Sequence, residues 1–129
     1  MNSLVLTILP FPLAVCRLEA SCNIPAWAAA GPFFAITRTS EELSIVCEER
    51  LVPEGTRLEG GWRALKVEGP LDFSLTGILA RLAAVLAQAE VSIFAISTFD
   101  TDYILVRQER LSAAADALRN AGYMVGMYN

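Results

Sequence analysis

The order of hydrophobic patterns in residues 61–129 is the feature that most limits what this chain can fold into. Apolar strand-like runs alternate with amphipathic stretches whose apolar residues recur every three or four positions. The predicted order is strand 62–68, helix 74–88, strand 91–98, strand 103–107, helix 111–120 and strand 123–128. This βαββαβ order predicts an α+β fold of the ferredoxin-like type, with an antiparallel sheet covered by helices on one face.

The first half of the chain predicts a smaller arrangement of the same kind. Strands are expected at 4–9, 13–18, 33–37 and 43–48, with a short helix at 27–30. The segment 52–61 contains one proline and three glycines and is the clearest boundary. We therefore predict two units, a degenerate one at 1–60 and a complete one at 61–129. A hairpin between 4–9 and 13–18 would make the first unit a permuted copy of the second.

Composition excludes several classes of function. Of 129 residues 54% are hydrophobic, enough for a sizeable core, and the net charge of −4 disfavours nucleic acid. The predicted strand YILVR also lacks the basic, glycine-containing signature of RNA recognition motifs. The chain has no histidine, no visible pair of nucleophile and base, and no metal-binding spacing. We expect no catalytic activity, no metal and no cofactor.

The N-terminal apolar stretch does not read as a leader or an anchor. No lysine or arginine precedes it, and Pro10 and Pro12 interrupt it. No apolar run approaches the ~20 residues of a membrane-spanning helix. We expect a cytoplasmic protein without membrane contact. The three cysteines have no paired spacing, and Cys47 is expected to be a buried free thiol.

Two segments, GWRALKVEGPLDFSLTGILARL and VSIFAISTFDTDYILV, resemble the ACT family of ligand-binding regulatory domains. The similarity extends to small bacterial tandem-ACT proteins and to the ACT units of the cytosolic arginine sensors of animals. The earlier segments AWAAAGPFFAITRTSEELSIVC and VPEG resemble a first, degenerate ACT unit.

The resemblance implies a regulatory module that binds an amino acid or a similar small metabolite. It also implies a homodimer, because ACT sites usually lie between two domains, and a separate regulated protein, because no enzyme is attached. The alternative is a module that dimerises or docks on a partner without a ligand. A polar pocket between two ACT units, around Asp72 and Asp102, would distinguish the two.

An amino-acid site needs donors for the carboxylate and acceptors for the ammonium group. Before the predicted helix, Gly69, Asp72 and Ser74 precede free backbone N–H groups, which suit an anion. The resemblance implies binding roles for a second set of residues, at the start of the following strand and in the hairpin turn: Ser92, Ile93, Thr98, Phe99 and Asp102.

Each candidate residue also has a purely structural explanation. Asp72 and Ser74 are typical helix caps, and aspartates such as Asp102 are favoured at hairpin turns for their local hydrogen bonds. Ser92 suits the edge of a strand, and Phe99 suits a core.

Overall fold

The computed structural model describes residues 4–68 and 77–127. Its residues form eight strands and two α-helices, numbered here along the chain. The strands are β1 Val5–Ile8, β2 Leu13–Leu18, β3 Phe34–Arg38, β4 Leu43–Glu48, β5 Leu58–Val67, β6 Phe94–Ser97, β7 Asp102–Arg107 and β8 Met124–Met127. The helices are α1 Ile78–Gln88 and α2 Leu111–Asn120. The α+β class and the βαββαβ order of the second half are confirmed, and the predicted helical residues 74–76 lie outside the described residues.

The chain divides into two compact units. The larger unit comprises Met1–Pro10 and Arg63–Asn129, and the smaller unit is Phe11–Trp62. The boundary falls within β5, between Trp62 and Arg63. The first half of this strand belongs to the smaller unit and the second half to the larger unit.

In the larger unit the strand order is β8-β1-β5-β7-β6. β1 runs antiparallel to β5, with Leu6 opposite Val67, and parallel to β8, with Leu6 opposite Val125. The predicted hairpin between 4–9 and 13–18 is therefore wrong, because β1 inserts between the first and last strands of the βαββαβ unit. The interpretation of the first unit as a permuted copy depended on this hairpin and is therefore also wrong.

One hydrophobic core joins both helices of the larger unit to its strands. Ile78, Leu82 and Leu86 recur every four residues of α1 and are buried. α2 contributes Ala114 and Leu118 to the same cluster. The strands contribute the side chains of one face: Leu6, Ile8, Leu65, Val67, Ile104 and Val106. Burying these side chains in one cluster fixes the register of β1 against β5.

The smaller unit is built on strands in the order β3-β4-β2-β5, each antiparallel to its neighbour. The expected short helix is a single 3₁₀ turn, Ala26–Ala29, which buries Ala28. Its core contains Cys16 and Cys47 among small and aliphatic residues. Both thiols are free, as predicted for Cys47.

β5 begins four residues earlier than predicted, because it runs through the two glycines that were interpreted as a boundary. Gly61 has a φ of +75°, and the pairing of β2 with β5 shifts register nearby, between Leu13 and Val15. A Cβ on Gly60 would lie 2.7 Å from the Glu49 carboxylate, which accepts a hydrogen bond from the Gly61 N–H at 2.8 Å. Glycine is thus required by a bulge and a close approach rather than by a loop.

The position of β1 predicts a sharp difference between two neighbouring residues. Leu6→Ala should cost about 2–5 kcal/mol of unfolding free energy, because Leu6 is fully buried in the core of the larger unit. Val5→Ala, on the opposite face of the same strand and 37% exposed, should cost less than about 1 kcal/mol. Urea denaturation measures both, and equal losses would contradict the packing of β1 described here.

Candidate functional site

The turn between β6 and β7 holds three of the candidate residues in a closed hairpin. The Thr98 N–H donates to the Thr101 carbonyl at 2.7 Å, and the Thr98 hydroxyl donates to the same oxygen at 3.0 Å. The Thr101 N–H donates back to the Thr98 hydroxyl at 3.2 Å. Thr98 therefore fixes the shape of the turn through hydrogen bonds of its backbone and its hydroxyl, so this residue has a structural role that needs no ligand.

Thr101 anchors this turn to the end of β5. Its side chain is buried, and its hydroxyl donates a hydrogen bond to the Val67 carbonyl. The segment after β5, which carries the candidates Gly69, Asp72 and Ser74, lies outside the described residues. Thr101 was not among the residues predicted from the sequence, although a hydroxyl residue between two aspartates of a turn was a visible signal.

Asp102 presents a carboxylate at the same end of the sheet. Asp102 is half-buried and pairs with Ser97 across the hairpin, where the Ser97 hydroxyl donates to Oδ1 at 2.6 Å. Within the described residues, no further side chain bonds to this carboxylate. One oxygen is thus held by the hairpin, and the group retains acceptor capacity for an ammonium or guanidinium donor. Ser97 is a second residue of this turn that was not predicted from the sequence.

Phe99 lies at the tip of the turn, where its side chain is 83% exposed. The structural explanation that it fills a core is therefore wrong. The ring is accessible to a ligand or a partner from solvent.

Ser92 and Ile93 lie at the opposite end of β6. Ser92 is exposed, and Ile93 packs against the core of the larger unit just after the reversal at Glu90, whose φ is +61°. Ser92 and Thr98 are six positions apart, which corresponds to about 20 Å at the rise of an extended strand. One hairpin therefore brings Thr98, Phe99 and Asp102 together, whereas Ser92 and Ile93 lie before the other end of β6.

The two buried thiols of the smaller unit do not form a reactive centre. Burial, reinforced by the neighbouring Cys47 thiol, raises the pKa of Cys16 from 9.0 to about 11. Burial also raises the pKa of Cys47. Both groups therefore stay protonated at neutral pH, and the thiolate is the nucleophilic form.

Residues 4–68 and 77–127 show neither a candidate metal site nor a helix that could span a membrane. No group of three or more histidine, cysteine, aspartate or glutamate side chains there could hold a metal ion. None of the helices there has the length and apolarity needed to cross a membrane.

The family profile described as the ACT domain matches residues 57–120, and a second profile, described only as an N-terminal domain, matches residues 12–55. The chain belongs to the ACT domain family. A cytosolic arginine sensor for mTORC1, subunit 1, from Rattus norvegicus is 33% identical over 114 residues. That match covers 77% of this chain and 34% of the sensor, so the chain spans about a third of its curated relative.

Two solved structures share the fold. The crystal structure of Atu0741 from Agobacterium tumefaciens has a TM-score of 0.93 at 41% identity, covering 100% of this chain and 96% of that one. The regulatory subunit of aspartate kinase from Thermus thermophilus has a TM-score of 0.64 at 12% identity, covering 91% and 96% of the two chains. The second likeness shows the fold alone.

The anchoring role of Thr101 predicts the effect of removing its hydroxyl. Thr101→Val keeps the volume but leaves the Val67 carbonyl without its donor, so it should lower the free energy of unfolding by about 1–3 kcal/mol. Thr101→Ser keeps the donor and should cost clearly less. Urea denaturation of both variants measures the difference, and indistinguishable variants would show that the hydroxyl does not anchor the turn.

The raised thiol pKa values predict a loss of stability at high pH. Between pH 9 and about 11 the unfolded chain releases thiol protons that the folded chain retains, so unfolding becomes more favourable as the pH rises. Cys16→Ala should reduce this dependence. Val46→Ala removes buried volume without a titrating group and should keep it. Denaturation at pH 8, 9, 10 and 11 gives the unfolding free energy as a function of pH. If this free energy falls as steeply with pH in Cys16→Ala as in the unmodified chain, the Cys16 thiol does not cause the loss of stability.

Proposed function

We propose that this chain is a non-catalytic regulatory module that binds an amino acid or a similar small metabolite through its ACT domain. The observation that carries the proposal is the half-buried Asp102 carboxylate, held by Ser97 in a hairpin that Thr101 anchors to the end of β5. The sequence similarity to a protein named as an arginine sensor supports the same class of ligand.

In the proposed site, three kinds of protein group contact three different parts of the ligand. Asp102 accepts hydrogen bonds from the ligand's ammonium group or from a cationic side chain. Phe99 covers an apolar part of the ligand. Backbone N–H groups in the segment that contains Gly69, Asp72 and Ser74, together with the Ser74 hydroxyl, are proposed to donate to the ligand's carboxylate.

The separation of Ser92 and Ile93 from the hairpin supports a homodimer. Ser92 and Thr98 are six positions apart, about 20 Å along an extended chain, so a second copy is the simplest way for both sets to meet one small ligand. We propose that Ser92 and Ile93 of one copy face the hairpin of another. Each copy would then supply half of a shared site.

The regulated protein is proposed to be a separate chain, and the compartment to be the cytosol, as in the name of the arginine sensor. The regulatory subunit of aspartate kinase provides a precedent for this fold in regulation. The role of the smaller unit as a degenerate ACT-like unit stays a prediction.

The proposal is tested by a thermal-shift screen of the full chain against the twenty amino acids. A ligand that binds the folded state raises Tm by mass action, by RT ln(1 + [L]/Kd) in free energy. Asp102→Asn keeps the shape of the side chain and removes its charge, and should abolish the shift. Asp100→Asn, an exposed aspartate of the same turn, is the matched control and should leave it unchanged.

Light scattering with and without the stabilising amino acid tests the shared site in the same samples. A ligand-dependent gain of dimer is expected, and Ser92→Trp should block it. No shift with any amino acid at millimolar concentration, together with a stable dimer, would overturn ligand binding and favour the ligand-free interaction module.

A further inference from the structure

The smaller unit carries a row of polar side chains on the sheet face opposite its core. In the register of the strands, Ser44 pairs with Arg17 and with Thr37. The backbone N–H of Arg17 donates to the backbone carbonyl of Arg57 at 3.0 Å. This hydrogen bond places Arg57 opposite Arg17, just before β5. Cys16 and Ile45 belong to the alternate positions, which face the core.

Two arginines directly opposite each other are an unfavourable pair. Like charges across neighbouring strands repel, and a sheet selected only for stability would avoid them. Arg17 is partly compensated, because Nη2 donates to the Glu41 carbonyl at 2.8 Å and Nη1 lies 3.8 Å from the Glu19 carboxylate. No described residue bonds to the guanidinium of Arg57. That side chain therefore has its full set of donors available.

This pair lines a hollow with a composition suited to a small polar ligand. The hollow has a volume of about 380 Å³. Its lining combines five polar or charged residues with three less polar ones: Arg17, Glu42, Ser44, Arg57 and Glu59, and Val15, Cys16 and Leu58. Glu42 is half-buried, and no described side chain or backbone donor bonds to its carboxylate. A second hollow of about 450 Å³ adjoins the first through the same two arginines.

We propose that this hollow binds the zwitterionic end of a small molecule, an α-amino group together with its carboxylate. Arg57, with Arg17 and the Ser44 hydroxyl, receives the carboxylate, because guanidinium and carboxylate match as a fork. Glu42 receives the ammonium group. The hollow holds two positive and two negative side chains, so a zwitterion leaves its charge balanced, whereas a simple anion leaves a carboxylate facing Glu42.

This site is independent of the hairpin at Asp102, since all its residues belong to the smaller unit. If both sites bind, each chain takes two molecules. If only one proposal holds, variants at Arg57 and at Asp102 separate the two.

The test is an NMR titration of the ¹⁵N-labelled full chain with glycine, acetate and methylamine, followed by glutamate and arginine. Glycine carries both charged groups, and the other two small probes carry one each. Glycine should shift the amide signals of Arg17, Ser44 and Leu58, while acetate and methylamine at equal concentration should bind at least about tenfold more weakly.

Two variants and one control complete the experiment. Arg57→Ala and Glu42→Gln should each weaken glycine binding by about tenfold or more. Glu54→Gln, an exposed glutamate of the same unit outside both hollows, should leave it unchanged. Unchanged spectra outside the hollow show that each variant is folded.

Three results would overturn the proposal. Acetate binding as well as glycine would mean an anion site without an ammonium subsite. Shifts confined to residues 98–102 would leave the hairpin as the site of binding and the hollow without a ligand. Wild-type affinity in Arg57→Ala would show that this guanidinium makes no contact with the probe.

Discussion

The pairing of β1 with both β5 and β8 is the constraint on which the larger unit depends. In a βαββαβ sheet the last strand lies beside the first, but here β1 occupies that place and bonds to each of them. Its buried residues, Leu6 and Ile8, lie opposite Val67 and Leu65 and belong to the same core as both helices. A segment of four residues near the N-terminus thus completes a sheet whose other strands begin more than fifty residues later.

This arrangement makes the smaller unit an insertion in the sequence of the larger one. Residues 11–62 lie between β1 and the remainder of its sheet, so the larger unit cannot complete its core until that insertion has been bridged. Bringing distant segments together costs chain entropy before any contact forms. The short insertion, with its own sheet and core, limits that cost because its two ends are already fixed by β2 and β5.

Local sequence patterns predicted most of the helices and strands, but they did not predict which distant strands pair with each other. The period of three to four residues in α1 and the apolar runs of β6 and β7 depend only on neighbours in the sequence, and their order was predicted correctly. The partner of β1 was not, because an apolar run of this kind fits any sheet edge and the nearest strand in the sequence is only the simplest choice. The start of β5 was predicted wrongly for a different reason. Gly60 and Gly61 indicate a turn when only the sequence is considered, whereas the contact with the Glu49 carboxylate and the bulge explain why this strand needs both glycines.

The site shows the same division between local and distant information. The sequence located the Thr98–Asp102 turn, since a threonine, an aromatic residue and an aspartate in a hairpin are visible together. It did not identify Thr101, because its partner is the carbonyl of Val67, thirty-four residues away. It also grouped Ser92 with Asp102, although a strand of extended backbone separates them. This separation of Ser92 from the hairpin is the geometric reason for the proposal that a second copy completes the binding site.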